Sequence, residues 1–417
     1  MKILMSDKFY FVRGGAERYF FDLKAVLEAN GHTVIPFSMK HPDNFRTPYD
    51  RYFVDRIEFN AGNPLRKARV GLQSLGRIFW SAQAADRLAS LIRDTRPDIA
   101  HLHMIDHQIS PSILPVLRRA GIPVVQTVHT YKLVCPTYRL YHMGRNRVCE
   151  KCLGGFYCRA VAERCHKDSF WATLLLALET TFHKAGRFYE RGIDRFLVPS
   201  RFMGDKLAEG GIPRDRIRHM PYTINLSEYR PTFRAGRYAL VMGRLSAEKG
   251  LLTLLRAVAD GFEWPLVIAG EGPQRDELEA FAAKRGLKQV RFAGRLDGEK
   301  LRKTIDGAGF VVVPSEWHEN SPLVIYESFA MAKPVIGAAM GGIPELISDG
   351  VDGALYPAGD AEALGRRLSE FVRRGGGLSA MGRAGRRKAE RLFSPERHYH
   401  ELSGVYRELI DLAKTRR

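Results

Sequence analysis

The sequence predicts an α/β protein built from two doubly wound, Rossmann-like parallel-sheet domains that face each other across a cleft. Three observations predict it. Short apolar, β-branched runs alternate with helical patterns along most of the chain. The alternation lapses once near the middle and then restarts, and 417 residues exceed what one hydrophobic core usually serves. Polar and glycine-rich loops follow the carboxyl ends of the strands, the edge at which open α/β sheets bind ligands.

The first half opens with the strand Lys2–Ser6, which leads through Phe9–Arg18 into a helical pattern ending at Leu27. Gly14-Gly15 at the helix start either brings backbone amides close to an anion or makes a simple tight turn. His32–Phe37, Ile99–His103 and Pro123–His129 continue the strand series, and Arg195–Pro199 closes it. Between the second and third strands, Pro64–Ile92 places Leu65, Ala68, Leu72, Leu75, Phe79 and Ala82 on one helical stripe, with Arg66, Lys67, Arg69 and Arg77 off it. That pattern fits a helix packed on the sheet with a solvated basic face, or an interfacial helix lying on anionic lipid. His101, His103, Asp106 and His107 gather at a strand end, where polar residues collect with or without a metal. His129 ends the run Pro123–Val128 and therefore projects at the carboxyl edge of the sheet.

All five cysteines fall between Cys135 and Cys165. Cys149 and Cys152 have the bite of a thiolate clip, and with Cys158 and Cys165 they make a candidate four-sulfur structural zinc site. Free thiols or a redox pair are the other readings.

Pro221–Arg237 loses the regular pattern and reads as an interdomain linker, dividing the chain into residues 1–225 and 226–395, with a terminal helix over 396–417. The second strand series is Tyr238–Gly243, Pro265–Ala269, Val290–Ala293, Phe310–Val313 and Pro334–Gly337. After its first strand, Gly243–Gly250 (GRLSAEKG) carries Arg244 and Lys249 next to the helix Leu251–Val258, where charge and free amides both suit a diphosphate. Gly270 and Gly272 lie in a second glycine loop, and Gly341–Glu345 form a third. In Phe310–Glu327, a fully apolar strand gives way to a polar loop and then to a helix for which Ser321 is the expected N-cap and Pro322 the first residue. Glu319 lies in the loop and Glu327 inside the helix, so both carboxylates sit near the carboxyl end of one strand.

Composition narrows the partners. A net charge of +19, from 65 Lys and Arg against 46 Asp and Glu, argues for an anionic partner, but the basic residues are dispersed and carry no nucleic-acid-binding signature. No nucleic acid is therefore expected. The N-terminal stretch MKILMSDKFYF has no apolar signal region, and no apolar run approaches the ~20 residues that span a bilayer. Together with the few cysteines, this predicts a cytoplasmic protein, with peripheral attachment to the inner face of the cell membrane as the membrane-bound alternative.

The run of motifs, namely the Gly14-Gly15 loop, His129 with TYKLVCP, Pro199-Ser200, GRLSAEKG, GEGP, PSEWHENSPLVIYES and GGIPE, resembles the family 4 retaining glycosyltransferases of GT-B fold over nearly the whole chain. The resemblance implies transfer of a sugar from a nucleotide-sugar donor to a hydroxyl, with a lipid-linked glycan of a cell-surface or exopolysaccharide pathway as the acceptor and no cofactor for catalysis. It implies that Glu319 meets the donor sugar and Glu327 the ribose, that Arg244 and Lys249 neutralise the departing diphosphate, and that His129 lies beside the sugar. Gly14, Gly15, Gly270, Gly272, Ser321 and Leu323 would line the donor site. Thr130 stands where the family often has Asp, and the last helix, Pro395–Ala413, is the one that often crosses back to the first domain. Two rivals make different predictions: a nucleotide-sugar epimerase on the same fold needs no acceptor, and a nucleic-acid binder shows a steep salt slope without turnover.

Overall fold

The computed structural model describes residues 1–56, 76–234 and 236–415. Residues 57–75, which hold most of the basic amphipathic pattern noted above, lie outside the described residues.

The first half is a six-stranded parallel sheet of β1 (Lys2–Ser6), β2 (Thr33–Phe37), β3 (Ile99–Leu102), β4 (Val124–Thr127), β7 (Arg195–Val198) and β8 (Ile217–His219). A small antiparallel hairpin, β5 (Tyr141–His142) with β6 (Arg147–Val148), stands outside that sheet. The second half is a six-stranded parallel sheet of β9 (Ala239–Met242), β10 (Leu266–Ala269), β11 (Val290–Gly294), β12 (Phe310–Val313), β13 (Val335–Ala338) and β14 (Gly353–Tyr356). The two-sheet expectation is met. The central strands β3, β4, β10, β12 and β13 have no exposed residue, and β10, β12 and β13 are apolar throughout, as strands buried on both faces of a parallel sheet are. The sequence pattern missed β8 and β14, the outermost strands, where burial is one-sided or partial and the apolar signal is weak.

Strand order places the site. The first sheet runs β2-β1-β3-β4-β7-β8 and the second β11-β10-β9-β12-β13-β14. The chain therefore winds outward in one direction and returns to the other side, creating a switch between β1 and β3 and another between β9 and β12. Loops leaving those adjacent strands part to opposite faces and open a crevice. The Gly243–Gly250 loop and the Pro314–Ser321 loop are the two that flank the second switch.

The last helix, Pro395–Thr415, packs back on the first sheet. Its His398 meets Tyr19 (2.9 Å), Tyr406 meets His101 (2.6 Å), and Glu408 accepts from Arg195 (2.6 Å). One apolar cluster runs through both halves, from Ile3 and Tyr19 to Phe329 and Tyr406, so the halves share packing as well as a linker.

Candidate active site

The second-sheet wall is assembled by backbone packing between glycines and neighbouring loops. Gly250 has φ +66°, and a Cβ there would lie 1.9 Å from Pro314 O, so only glycine lets the loop after β9 close on the loop after β12. Gly341 and Gly342 do the same for the other side: Cβ atoms on them would lie 2.4 Å from Glu319 O and 2.0 Å from Asn320 O. A Cβ on Gly270 would strike Gly243 O and one on Gly272 would strike Leu245 O, so these two glycines support the Arg244 loop from behind.

On that frame, the Lys249 ammonium donates to Glu319 Oε1 at 2.6 Å, and Ser315 Oγ donates to the same oxygen at 2.7 Å. Burial alone would raise the Glu319 carboxyl, but Lys249 and these hydrogen bonds hold it below its ordinary value. Lys249 also lies 5.2 Å from the Trp317 ring centroid. Arg244 is exposed on the neighbouring loop and has no ion-pair partner among the described residues. Ser246 Oγ and Asn320 Oδ1 are buried without a hydrogen-bond partner among the described residues, on the two loops that carry Lys249 and Glu319.

Glu327 sits in the helix Leu323–Ala330, whose N-cap is Pro322. Ser321 does not cap this helix, because its hydroxyl turns into the core to bond Tyr326 Oη at 2.6 Å. Glu327 Oε1 accepts from Tyr229 Oη at 3.1 Å and from Arg18 Nη1 at 3.3 Å. Burial raises this carboxyl, with Arg18 opposing the shift, so the two glutamates of the motif are pushed in opposite directions. Leu323 approaches Gly15, where a Cβ would lie 3.2 Å from Leu323 Cδ1. The Gly14 amide is taken by Glu17 Oε2 at 2.9 Å, so it is a helix-capping donor in this arrangement.

The first-sheet wall is different. His129 is buried, with Nε2 against His103 Nδ1 at 3.0 Å and Nδ1 against Tyr222 Oη at 2.8 Å. Burial pushes its imidazole down to about 3. The group that meets the second half is its main-chain oxygen, which accepts from Asn320 Nδ2. The walls also join at Glu345, whose two oxygens each accept a backbone amide, of Arg201 and of Phe202, at 2.8 Å. Glu345 thereby serves the N-terminus of the helix Arg201–Glu209 from across the cleft.

Thus Glu319, Lys249, Arg244, Ser321 and Leu323 gather at one edge with Glu327 behind them, Gly15 opposes Leu323, and the His129 ring stays inside its own half. Arg18, Tyr222, Tyr229, Ser315, Trp317 and Asn320 were not singled out from sequence. All but Tyr222 and Tyr229 lie inside motifs that were quoted, but nothing in the residue spacing reveals a partner 309 positions away, as for Arg18 and Glu327.

The four-sulfur zinc site needs correction. Among the described residues no group of three or more His, Cys, Asp or Glu side chains is placed to hold a metal, and all five thiols are free. Cys158 is exposed at the start of the short helix Cys158–Ala162, whereas Cys135, Cys165 and Cys149 are the thiols that act electrostatically on Cys152. Cys158 is therefore not among the thiols that act on Cys152, whereas Cys135, outside the proposed set, is.

Two facing parallel sheets with charged loops at the switch point define a GT-B fold. The structure aligns with sucrose-phosphate synthase from Thermosynechococcus elongatus at TM-score 0.71 and 20% identity, covering 99% of each chain. It also aligns with Anabaena HepE in complex with UDP and glucose at TM-score 0.68 and 16% identity, covering 98% of this chain and 100% of the other. Residues 13–228 match the family described as Glycosyltransferase Family 4, and residues 231–388 match Glycosyl transferases group 1. The chain belongs to the family 4 glycosyltransferases. Among its relatives, the sulfoquinovosyl transferase SQD2 of Arabidopsis thaliana is 29% identical over 339 residues, a match spanning 76% of this chain and 58% of that protein. Glycogen synthase of Mycobacterium tuberculosis H37Rv is 26% identical over 390 residues, spanning 87% of this chain and 84% of the other.

Proposed function

We propose that the protein transfers a sugar from a nucleotide-sugar donor to a hydroxyl of a lipid-linked glycan, retaining the anomeric configuration. The observation that carries this is the Lys249–Glu319 pair at 2.6 Å beside the exposed Arg244, all at the β9–β12 switch. Breaking a sugar–phosphate bond leaves a diphosphate whose negative charge grows, so two fixed cations stabilise the transition state directly and supply the charge that a metal would otherwise bring. Glu319, held ionised by Lys249, faces the sugar hydroxyls and the positive charge developing at the reacting carbon. Glu327 takes the ribose when Arg18 yields one of its contacts. His129 supports the donor loop through its carbonyl oxygen. The names of relatives and fold neighbours support the class: HepE holds UDP and glucose, and SQD2 is a sulfoquinovosyl transferase.

The test is a panel of nucleotide sugars, read by thermal stabilisation and by release of nucleoside diphosphate, followed by the anomeric assignment of the glycoside formed on a polyprenyl-linked glycan. One donor should both stabilise the protein and turn over, with a product of the donor's configuration. Interconversion of free nucleotide sugars without acceptor would favour an epimerase, tight polynucleotide binding without turnover would favour the nucleic-acid reading, and an inverted product would defeat the retaining mechanism.

A further inference from the structure

The helix Phe170–Ala185 has no counterpart among the residues assigned to the cleft, and its two faces differ sharply. Thr173, Leu176, Ala177, Glu179, Thr180 and His183 are buried on one face. Phe170, Trp171, Leu174, Leu175, Leu178 and Phe182 fall on a single arc of the remaining circumference, and of these Phe170, Trp171, Leu178 and Phe182 are exposed. Trp171 is 76% exposed and Leu178 51%. Of the eleven large apolar side chains exposed among the described residues, four lie on this helix and two more, Phe156 and Trp80, lie beside its neighbours. Phe156 lies two residues before the helix Cys158–Ala162, which packs on the helix Phe170–Ala185, and Trp80 meets Phe188, which meets Phe182. No side chain from Phe170 to Leu178 is charged. Exposed cations bracket the stripe, Arg164 and Lys167 before it and Arg187 and Arg191 after it, against one exposed anion, Asp168.

We propose that this face docks on an anionic phospholipid bilayer, with the helix lying in the plane of the headgroups. This rests on the lipid-linked acceptor in the reading above and adds the surface through which such an acceptor is approached. Charge selects the occupant. A second copy of this chain would bring the same cations to the stripe's ends, whereas anionic headgroups neutralise them. Tryptophan and phenylalanine at a water boundary suit the interfacial region. With 16 residues the helix is too short to span, and none of the described helices is long and apolar enough to cross a membrane. Its buried face is fixed to the site: Glu179 Oε2 accepts from Lys132 at 2.7 Å and Thr180 lies 3.5 Å from the same ammonium, and Lys132 is three residues beyond His129. Burial raises the Glu179 carboxyl, but Lys132 and His107 bring it down to about 2, so this anchor is an ion pair at neutral pH. The helix is thus tied by its buried face to the segment that follows His129.

The experiment is co-sedimentation of the full chain with phosphatidylcholine vesicles containing about one-third phosphatidylglycerol, compared with pure phosphatidylcholine. The wild type should bind the anionic vesicles and release with salt. The Trp171→Ser/Phe182→Ser variant should partition at least about tenfold less, through lost apolar contact. Lys167→Glu/Arg187→Glu should lose mainly the preference for anionic over neutral vesicles. Nucleotide-sugar binding without vesicles should be unchanged in both. No binding by the wild type, or equal binding by the Trp171→Ser/Phe182→Ser variant, overturns the proposal, as does a wild-type dimer that this variant turns into a monomer without vesicles. Normal donor binding with no vesicle binding removes the docking surface and leaves the transferase reading intact; vesicle binding with no nucleotide-sugar binding does the reverse.

Discussion

The two walls of the cleft use different chemistry at equivalent places. At the β9–β12 switch the groups are charged: Lys249 on Glu319, and Arg18 reaching across to Glu327. Along β3 and β4 the groups are neutral rings in a stack, with His101 and His103 at 4.5 Å, His103 and His129 at 5.3 Å, and His129 and Tyr222 at 5.6 Å between centroids, each pair within 23° of parallel. Burial pushes His101 down to about 3 and His103 well below its ordinary value. A wall that meets a departing diphosphate would need fixed charge, and a wall that only supports a loop does better without it, because every buried charge has to be matched. Under the proposed reading the charged wall meets the donor and the neutral one frames it, so a buried titratable cluster is not by itself evidence of catalysis.

The strongest test of this contrast acts on the charged wall. Lys249→Ala and Arg244→Ala should lower kcat by about 30- to 1000-fold, a loss of ~2–4 kcal/mol, because each cation would meet charge that appears mainly in the transition state. Lys249→Ala also strands the buried Glu319, so thermal unfolding must be measured alongside; Arg244, exposed and unpaired among the described residues, carries no such confounding effect. Near-normal kcat in both variants would erase the contrast between the walls. A smaller effect separates the two glutamates. Glu327→Gln should weaken donor and free nucleotide together by about tenfold, or ~1.4 kcal/mol, whereas Glu319→Gln should spare free nucleotide and slow the sugar step. Equal losses of free-nucleotide affinity in the two variants would show that they do not divide the ligand between them.

How much of this was legible depends on whether the signal was local. β12 was legible to the residue, since Phe310–Val313 is an unbroken apolar run ended by Pro314. The Lys249–Glu319 wall was legible as two loops after two strands, because topology brings such loops together without any knowledge of side chains. The N-cap at Ser321 was misread, since a serine before a proline carries the capping signal whether its hydroxyl turns to the helix or, as here, to Tyr326. The proposed four cysteines are not brought together as a ligand group among the described residues, for a related reason. Cysteine spacing records bite but not direction, and Cys158 faces solvent while Cys135, outside the proposed set, is buried. The partners of Glu327 were invisible because Arg18 and Tyr229 come from the other half and the linker.

The test of the neutral wall is a matter of sign. His101 is buried, with Nδ1 against Tyr406 Oη at 2.6 Å and Nε2 against Thr127 Oγ1 at 2.7 Å, and burial is the first cause of its depressed value of about 3, with His129 and His398 adding to it. In the unfolded chain the same imidazole titrates near its ordinary value of 6.5. Between those values the unfolded chain binds a proton that the folded chain excludes, so folding stability contributed by this group is intact above about 6.5 and falls as pH drops toward 3. His101→Gln keeps a polar side chain between Tyr406 and Thr127 and removes the titration. At pH 7 the variant should be less stable than the wild type, by about 1–2 kcal/mol for the altered hydrogen bonds. On acidification the gap should narrow by up to about 1.4 kcal/mol per pH unit, because only the wild type pays for an uncharged imidazole. Denaturant unfolding of both proteins at pH 7, 6 and 5 measures it. A gap that stays constant or widens as pH falls would mean that this wall accepts a proton, and the distinction between a charged wall and a neutral one would fail at its simplest point.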